Sequence, residues 1–347
     1  MHDLACVIHL HSLYSDGTGT VPEIARAARR EGVDVVVLTD HDSLEAKHRG
    51  EEGWHGSVLV LVGEEVSPPA RDHYLAFGID EEIDHDGLDA AGICRAVRDA
   101  GGFGFAAHPF SEGSARFKRA VGMPFTALDC DALDGIELWS FVNDTAAAAA
   151  SIPELIRFLA TPGRVLEHPP ERNMRGWDEM CATRQVVGIG GLDAHQYGKR
   201  IGPIVPVRVM AYRRSFRHLR THVLCDEALN GDLAHDAEQV YAALRSGRCY
   251  IAVDSVAPAR GFGFWAERDG ERAEMGGRAS PGGWTLHARA PLDAHWRLLR
   301  DGGLVAEAGG TQLSAPADEP GVYRVEALRR ARGRDRTWVL SNPVYLK

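Results

Sequence analysis

The sequence predicts an α/β protein with a mainly parallel sheet, barrel-like at this length, followed by a small antiparallel β domain. Three observations lead there. The first two-thirds of the chain alternates short β-branched runs with amphipathic stretches. After about residue 255 it changes to short alternating runs divided by Gly/Pro/Asp turns. The length, 347 residues, suffices for one large domain and a smaller one.

The elements follow in order. Leu4–Leu10 reads as a strand and Val21–Glu31 as a helix, with Thr20 as N-cap before Pro22. Val33–Thr39, Val58–Val62 and Tyr74–Gly78 continue the strands. Leu88–Ala100 is a helix closed by Gly101-Gly102, and Phe103–Ala107 and Gly135–Trp139 are strands. Thr145–Leu159 reads as an alanine-rich helix, Asp178–Thr183 as a short one, and Val186–Gly190 as a strand. Helix Asp236–Ser246 links these to strands at 263–265, 284–290, 296–300, 322–328 and 337–340. The expected division is an α/β barrel over 1–215, a helical connector over 216–255 and a β domain over 256–347.

A net charge of -10 argues against a tight grip on long nucleic acid, though not against a small anionic substrate held by cations. The six cysteines form no C-x-x-C pair, and no apolar run reaches membrane-spanning length. With no signal-peptide pattern at the start, the expectation is a cytoplasmic protein with reduced thiols and no membrane partner. The oligomeric state is not legible.

The chemistry shows in where ligand-type residues fall. His9-x-His11 ends the first strand, and Asp16 follows in Ser15-Asp16-Gly17. His41 lies just past the second strand, Glu65 follows the third, His73 precedes the next and His108 closes the one after. Asp193-x-His195 lies past the late strand. In a parallel barrel the C-terminal strand ends share one mouth, so these residues would meet there. Imidazole and carboxylate together suit Zn, Mn or Fe. A single histidine at a strand end is ordinarily a hydrogen-bonded residue. Histidines without an obvious partner, such as His48, His85, His218 and His222, are read that way. No such cluster follows residue 255, so the β domain is expected to supply no ligand.

The ordered segments H-x-H-S-x-x-S-D-G (9–17), T-D-H (39–41), G-x-E-x-S (63–67), A-H-P (107–109) and D-A-H (193–195) resemble the motifs of the PHP (polymerase and histidinol phosphatase) superfamily. Segments around Trp177, Ser215–Val223, Ala243–Arg248 and Trp338–Tyr345 are similar to its CehA/McbA-like branch, named after carbamate-insecticide hydrolases. The resemblance implies a distorted (βα)7 barrel with a trinuclear site. It makes ligands of His9, His11, Asp16, His41, Glu65, His73, His108, Asp193 and His195, with Glu65 chosen over Glu64 by the G-x-E spacing.

Two or three divalent ions in such a site would activate water for hydrolysis, with Glu65 and Asp193 bridging them. The expected activity is a phosphoesterase acting on a small phosphate ester or nucleotide, with Arg116 and Arg200 as candidate anion contacts. A carbamate, ester or amide hydrolase using the same site and a catalytically idle binding module are the alternatives.

Overall fold

The structure, a computed structural model, describes residues 1–113, 122–147, 151, 153–154, 156–157, 167–198, 200–202 and 208–347. Among the described residues, seven strands run through the main sheet of its first part: β1 (His2–Ile8), β2 (Val35–His41), β3 (Val58–Val66), β4 (Tyr74–Phe77), β5 (Phe103–Ala106), β6 (Gly135–Ser140) and β7 (Val187–Gly191); the short strand Gly53–His55 pairs with β3 as a hairpin. Neighbours pair in that order. The β1–β2, β2–β3, β5–β6 and β6–β7 ladders are parallel, whereas β3–β4 and β4–β5 are antiparallel. The first reversal has a simple cause: the link from Val66 to Tyr74 is too short for the crossover a parallel pair requires.

β7 returns to β1 without forming a ladder. The two meet at one parallel bridge, Leu10 with Ala194, where Ala194 O accepts from His11 N at 3.0 Å. The sheet therefore curls back on itself at its C-terminal strand ends but does not close as the expected continuous barrel.

The stretch expected as a helical connector holds more than a helix. β8 (Leu219–Cys225) pairs antiparallel with β1, and β9 (Cys249–Val253) pairs antiparallel with β8. Buried Arg220 and His222 interrupt the apolar run of β8 and conceal it as a strand.

The helices follow local signals. α1 (Val21–Arg30) begins with a capping box, in which Thr20 N donates to Glu23 Oε2 at 3.0 Å and Glu23 N donates to Thr20 Oγ1 at 3.4 Å. Asp89 caps α2 (Ala90–Asp99). α3 (Phe141–Ala147) starts earlier than the expected alanine-rich helix; residues 148–150, 152, 155 and 158–166 lie outside the described residues. α4 (Glu171–Thr183) is longer than expected because it buries only Asn173, Trp177 and Cys181, a stripe too narrow to read as amphipathic. α5 (Leu233–Ser246) runs from its Asp232 cap to left-handed Gly247.

Strand periodicity divides the core. Val7, Val36, Leu38 and Val60 pack in one cluster with α1 and α2, while Cys6, Ile8, Val35, Val37, Leu59 and Leu61 pack in another with Val240 and Leu244 of α5. Both sheet faces are thus covered, which is why these strands read as unbroken apolar runs.

A third cluster belongs to the C-terminal antiparallel ladders. There the two strands expected at 284–290 and 296–300 are one, Trp284–Arg300, and Pro291-Leu292-Asp293 sits at a register shift rather than a turn. β9 pairs with the last long strand, Arg334–Ser341, which joins the two parts. The Asn342 side chain adds to this, accepting from Gly188 N at 2.8 Å and donating to Cys249 O at 2.9 Å. Among the described residues no helix is long and apolar enough to cross a membrane.

Candidate metal centre

β1 ends by entering the left-handed region at His9, with φ 63°, which carries His9 and His11 to the curled end of the sheet. His108 and Asp193 also adopt positive φ, 31° and 49°, just past β5 and β7. Side-chain-bearing residues rarely hold such angles unless their surroundings fix them, and they cluster at functional sites. In the turn carrying Asp16, a Cβ on Gly17 would lie 2.2 Å from His11 O, so only glycine fits there.

Glu65 is the hub. Its Oε2 lies 3.2 Å from each of His9 Nε2, His11 Nε2 and His41 Nδ1. Its Oε1 lies 2.9 Å from His73 Nδ1 and 3.5 Å from His108 Nε2. Asp193 Oδ1 approaches His9 Nε2 at 3.6 Å, His11 Nε2 at 3.4 Å and His195 Nδ1 at 3.5 Å. Asp16 lies 3.0 Å from His195 Nε2 and 3.8 Å from His41 Nε2. All nine residues singled out in the sequence therefore converge. They form four overlapping groups: His11, Asp16, His41 and His195; His9, His11 and Asp193; His9, Glu65 and His108; and His41, Glu65 and His73.

Glu64 and Arg200 stand outside these groups. Glu64 turns the opposite way on β3, accepting from Ile83 N at 3.0 Å, and burial pushes its carboxyl up to about 7. Arg200 donates to Thr18 O at 3.0 and 2.9 Å and pairs with Glu23, so its guanidinium is engaged with the loops flanking the cluster. Arg116 lies outside the described residues.

The donor set fits divalent cations. Four histidines have Nδ1 facing a fixed oxygen: Glu137 for His9 at 3.0 Å, Ser67 Oγ for His41 at 2.7 Å, Met123 O for His108 at 3.2 Å and Asp193 O for His195 at 3.1 Å. The Ser67 hydroxyl donates to Glu65 O at 2.7 Å and so accepts from His41 Nδ1–H. Each of the four is then left with an Nε2 lone pair to offer, as metal-bound imidazoles are when oriented from behind. Both nitrogens of His11 are buried, and among the described residues neither has a hydrogen-bond partner. Its approaches to Glu65 and Asp193 are close but misaligned, an arrangement that costs stability unless a cation fills it.

The electrostatics agree. Burial opposes ionisation of Glu65, yet His9, His108, His11 and His73 together hold its pKa well below the carboxylate range. Burial likewise opposes a charged His11, but Asp193 and Glu65 raise it to about 9. All six cysteines are buried and none joins the four groups, so the donors are nitrogen and oxygen alone.

Several supporting residues escaped the sequence reading. Glu137 on β6 holds His9 Nδ1 and accepts from His108 N at 2.8 Å, and a Cβ on Gly191 would lie 2.0 Å from its Oε1. The available signal was a carboxylate inside an apolar strand. Asn143 donates to Asp193 Oδ2 at 2.6 Å, and Asp40 accepts from Ser12 N at 2.7 Å. The Tyr212 hydroxyl lies 2.7 Å from His11 O and 3.1 Å from His195 O, tying two ligand loops together. Asn143 and Tyr212 are distant in sequence from what they hold, and nothing local marks them.

No protein-family model matches the chain. An uncharacterised protein of Methanocaldococcus jannaschii is 26% identical over 148 residues, spanning 38% of this chain and 80% of that one. The chain is similar to a solved two-domain protein of Bacteroides vulgatus described as containing a PHP-like metal-dependent phosphoesterase. They are 16% identical over 99% of this chain and 95% of the other, with a TM-score of 0.48. A Bifidobacterium adolescentis structure described as a metal-dependent phosphoesterase is 19% identical over 59% and 92%, with a TM-score of 0.36. An amidohydrolase of Chromobacterium violaceum, solved with sulfate and no metal, is 17% identical over 58% and 90%, with a TM-score of 0.31. The functional reading rests on the ligand geometry.

Proposed function

We propose that the chain is a metal-dependent phosphoesterase of PHP type that hydrolyses a small phosphate ester or nucleotide with two or three divalent ions of Zn, Mn or Fe. The observation that carries this is the sharing of donors: His9, His11, His41 and Glu65 each belong to two of the four groups. Nine donors exceed the four to six or so that one such ion takes. When bound, adjacent ions acidify a water and neutralise phosphoryl oxygens.

The chain's own residues supply the rest. Glu65 and Asp193 hold the centre together, each spanning several imidazoles. Glu137 fixes the His9 tautomer by accepting from Nδ1. Asp16 and His41 are the open side, with side chains 58% and 29% exposed, and substrate approaches there. A phosphate ester fits better than a carbamate because charge spreads over several oxygens in its transition state and a multinuclear site can meet more than one.

The test compares kcat/KM of metal-loaded protein on a nitrophenyl phosphate, a bis-nitrophenyl phosphate and an aryl carbamate of matched leaving group. The phosphate esters are expected to be faster. A carbamate advantage of about tenfold, some 1.4 kcal/mol of barrier, would replace this reading with a carbamate hydrolase.

A further inference from the structure

A chain of ring contacts leads out of the histidine cluster. His41 meets His11 with centroids 4.3 Å apart, and His11 meets His195 at 4.1 Å. Tyr197 extends the chain by stacking on His195 at 5.2 Å, the two planes only 7° apart. Exposure rises along it, from 0% at His11 to 6% at His195 and 46% at Tyr197. The three histidines are candidate ligands. Tyr197 is not, and among the described residues no second ring meets it.

The loop that presents Tyr197 is held from several sides. Gln196 is buried with φ 48°, so the backbone turns sharply between His195 and Tyr197. Thr18 N donates to His195 O at 3.1 Å, and the Thr18 hydroxyl donates to Gln196 O at 2.5 Å. Tyr197 itself pairs with Val209 in a short antiparallel ladder. Asp16, the most exposed of the nine candidate ligands, lies 3.0 Å from Nε2 of the imidazole on which Tyr197 stacks. The ring and the open side of the cluster are thus neighbours. Any bulky side chain would cover His195. A rigidly carried aromatic ring, stacked on it and still largely exposed, offers a flat π surface besides.

We propose that Tyr197 is the floor of a substrate subsite that receives an aromatic ring on the leaving group. The inference rests on the hydrolase reading above and names its substrate class, a phosphate ester bearing an aromatic group. The phosphoryl group would lie at the histidine–carboxylate cluster and the ring would stack on Tyr197.

The experiment uses the full, metal-loaded chain and two matched pairs of substrates, 2-phenylethyl and 2-cyclohexylethyl phosphate and the corresponding carbamates. Within each pair the leaving groups are alike in acidity and size, so the ratio of kcat/KM reports the flat ring. The phenyl compound is expected to lead by about three- to tenfold, mostly through KM, because stacking holds before and during reaction. Tyr197→Leu is expected to bring the ratio near one, and Tyr197→Phe to keep it. Calorimetric titration with 3-phenylpropyl- and 3-cyclohexylpropylphosphonate, which cannot be hydrolysed, should show the same preference in Kd. Turnover of the carbamates alone would overturn the phosphoesterase reading, and the carbamate and phosphonate ratios would then decide the subsite. A ratio near one in wild type, which requires no variant to fold, would overturn the proposal. So would a ratio that Tyr197→Leu leaves unchanged, the result expected of a simple cover for His195.

Discussion

Two buried histidine–carboxylate clusters lie in this molecule, and they differ in how their atoms are satisfied. At the root of β1 and β8, His222 meets Asp3 through Nδ1 at 2.7 Å and Asp254 through Nε2 at 3.3 Å. Arg220 reaches Asp254 at 2.8 Å and the Tyr250 hydroxyl donates to Asp3 at 2.7 Å, so two carboxylates face an arginine and an imidazole. That network closes on itself. Around Glu65, by contrast, several imidazoles converge on shared carboxylates, and among the described residues the His11 ring has no hydrogen-bond partner. Residue types are alike in the two places; unfinished coordination is what separates a ligand site from a structural brace.

The sharpest way to break that distinction is at Glu65. Glu65→Gln is expected to cut hydrolytic activity by about 10²–10³-fold or more. It should also lower the metal content from the two or three equivalents expected of wild type, measured by elemental analysis. A variant that keeps full metal content and rate would remove Glu65 from the centre.

At the closed cluster the effect should fall on stability instead. His222→Ala leaves Asp3 and Asp254 facing one another in a buried site and is expected to cost about 3–5 kcal/mol by urea denaturation. Metal content per folded molecule should stay unchanged. Its pH dependence follows from the directions of the shifts. Burial lowers the His222 pKa, but Asp254 and Asp3 more than reverse this and leave it raised; burial raises Asp3 and Asp254, and the His222 interactions help leave both lowered. The raised imidazole contributes below its unfolded value of about 6.5 and loses that contribution as pH climbs through its folded value. The lowered carboxylates contribute above about 3.9 and lose theirs as pH falls through their folded values. The gap between wild type and H222A should therefore be widest between about pH 4 and 6.5. A gap that stays flat from acid to alkaline pH would contradict the pairing.

A smaller effect is expected behind the site. Glu137→Gln can still accept from His9 Nδ1 but withdraws the charge that favours its tautomer, so metal affinity should fall about 10–100-fold. Competition with a chelator measures this. Smallest of all is Glu64→Gln, which retains an acceptor for Ile83 N and faces away from the cluster. Its metal content and rate should match wild type, and a large loss would mean that the register of β3 is misread.

Much of this was legible in advance because the informative residues sit beside punctuation. His9, His41, Glu65, His108 and Asp193 each lie where an apolar run ends, and the Thr20 and Asp89 caps mark their helices. Strand β8 was not legible, because a buried Arg220–Asp254 pair and His222 give it the look of a polar connector. Long strand 284–300 was divided at its proline, which the fold accommodates at a register shift instead. Glu137, Asn143 and Tyr212 act across fifty residues of chain or more, where spacing carries no signal.

By itself, then, the sequence determined which positions could be ligands and that both faces of the first sheet would be buried, since periodicity and strand ends are local properties. Motif spacing also preferred Glu65 to Glu64; tertiary structure alone decided that nine such positions meet, that Glu64 is turned to Ile83 N, and that the sheet curls without a closing ladder. It also decided which histidines became braces. A short connection, a pleat and a partner hundreds of residues away settle those matters. None of them is written in the residue whose role they fix.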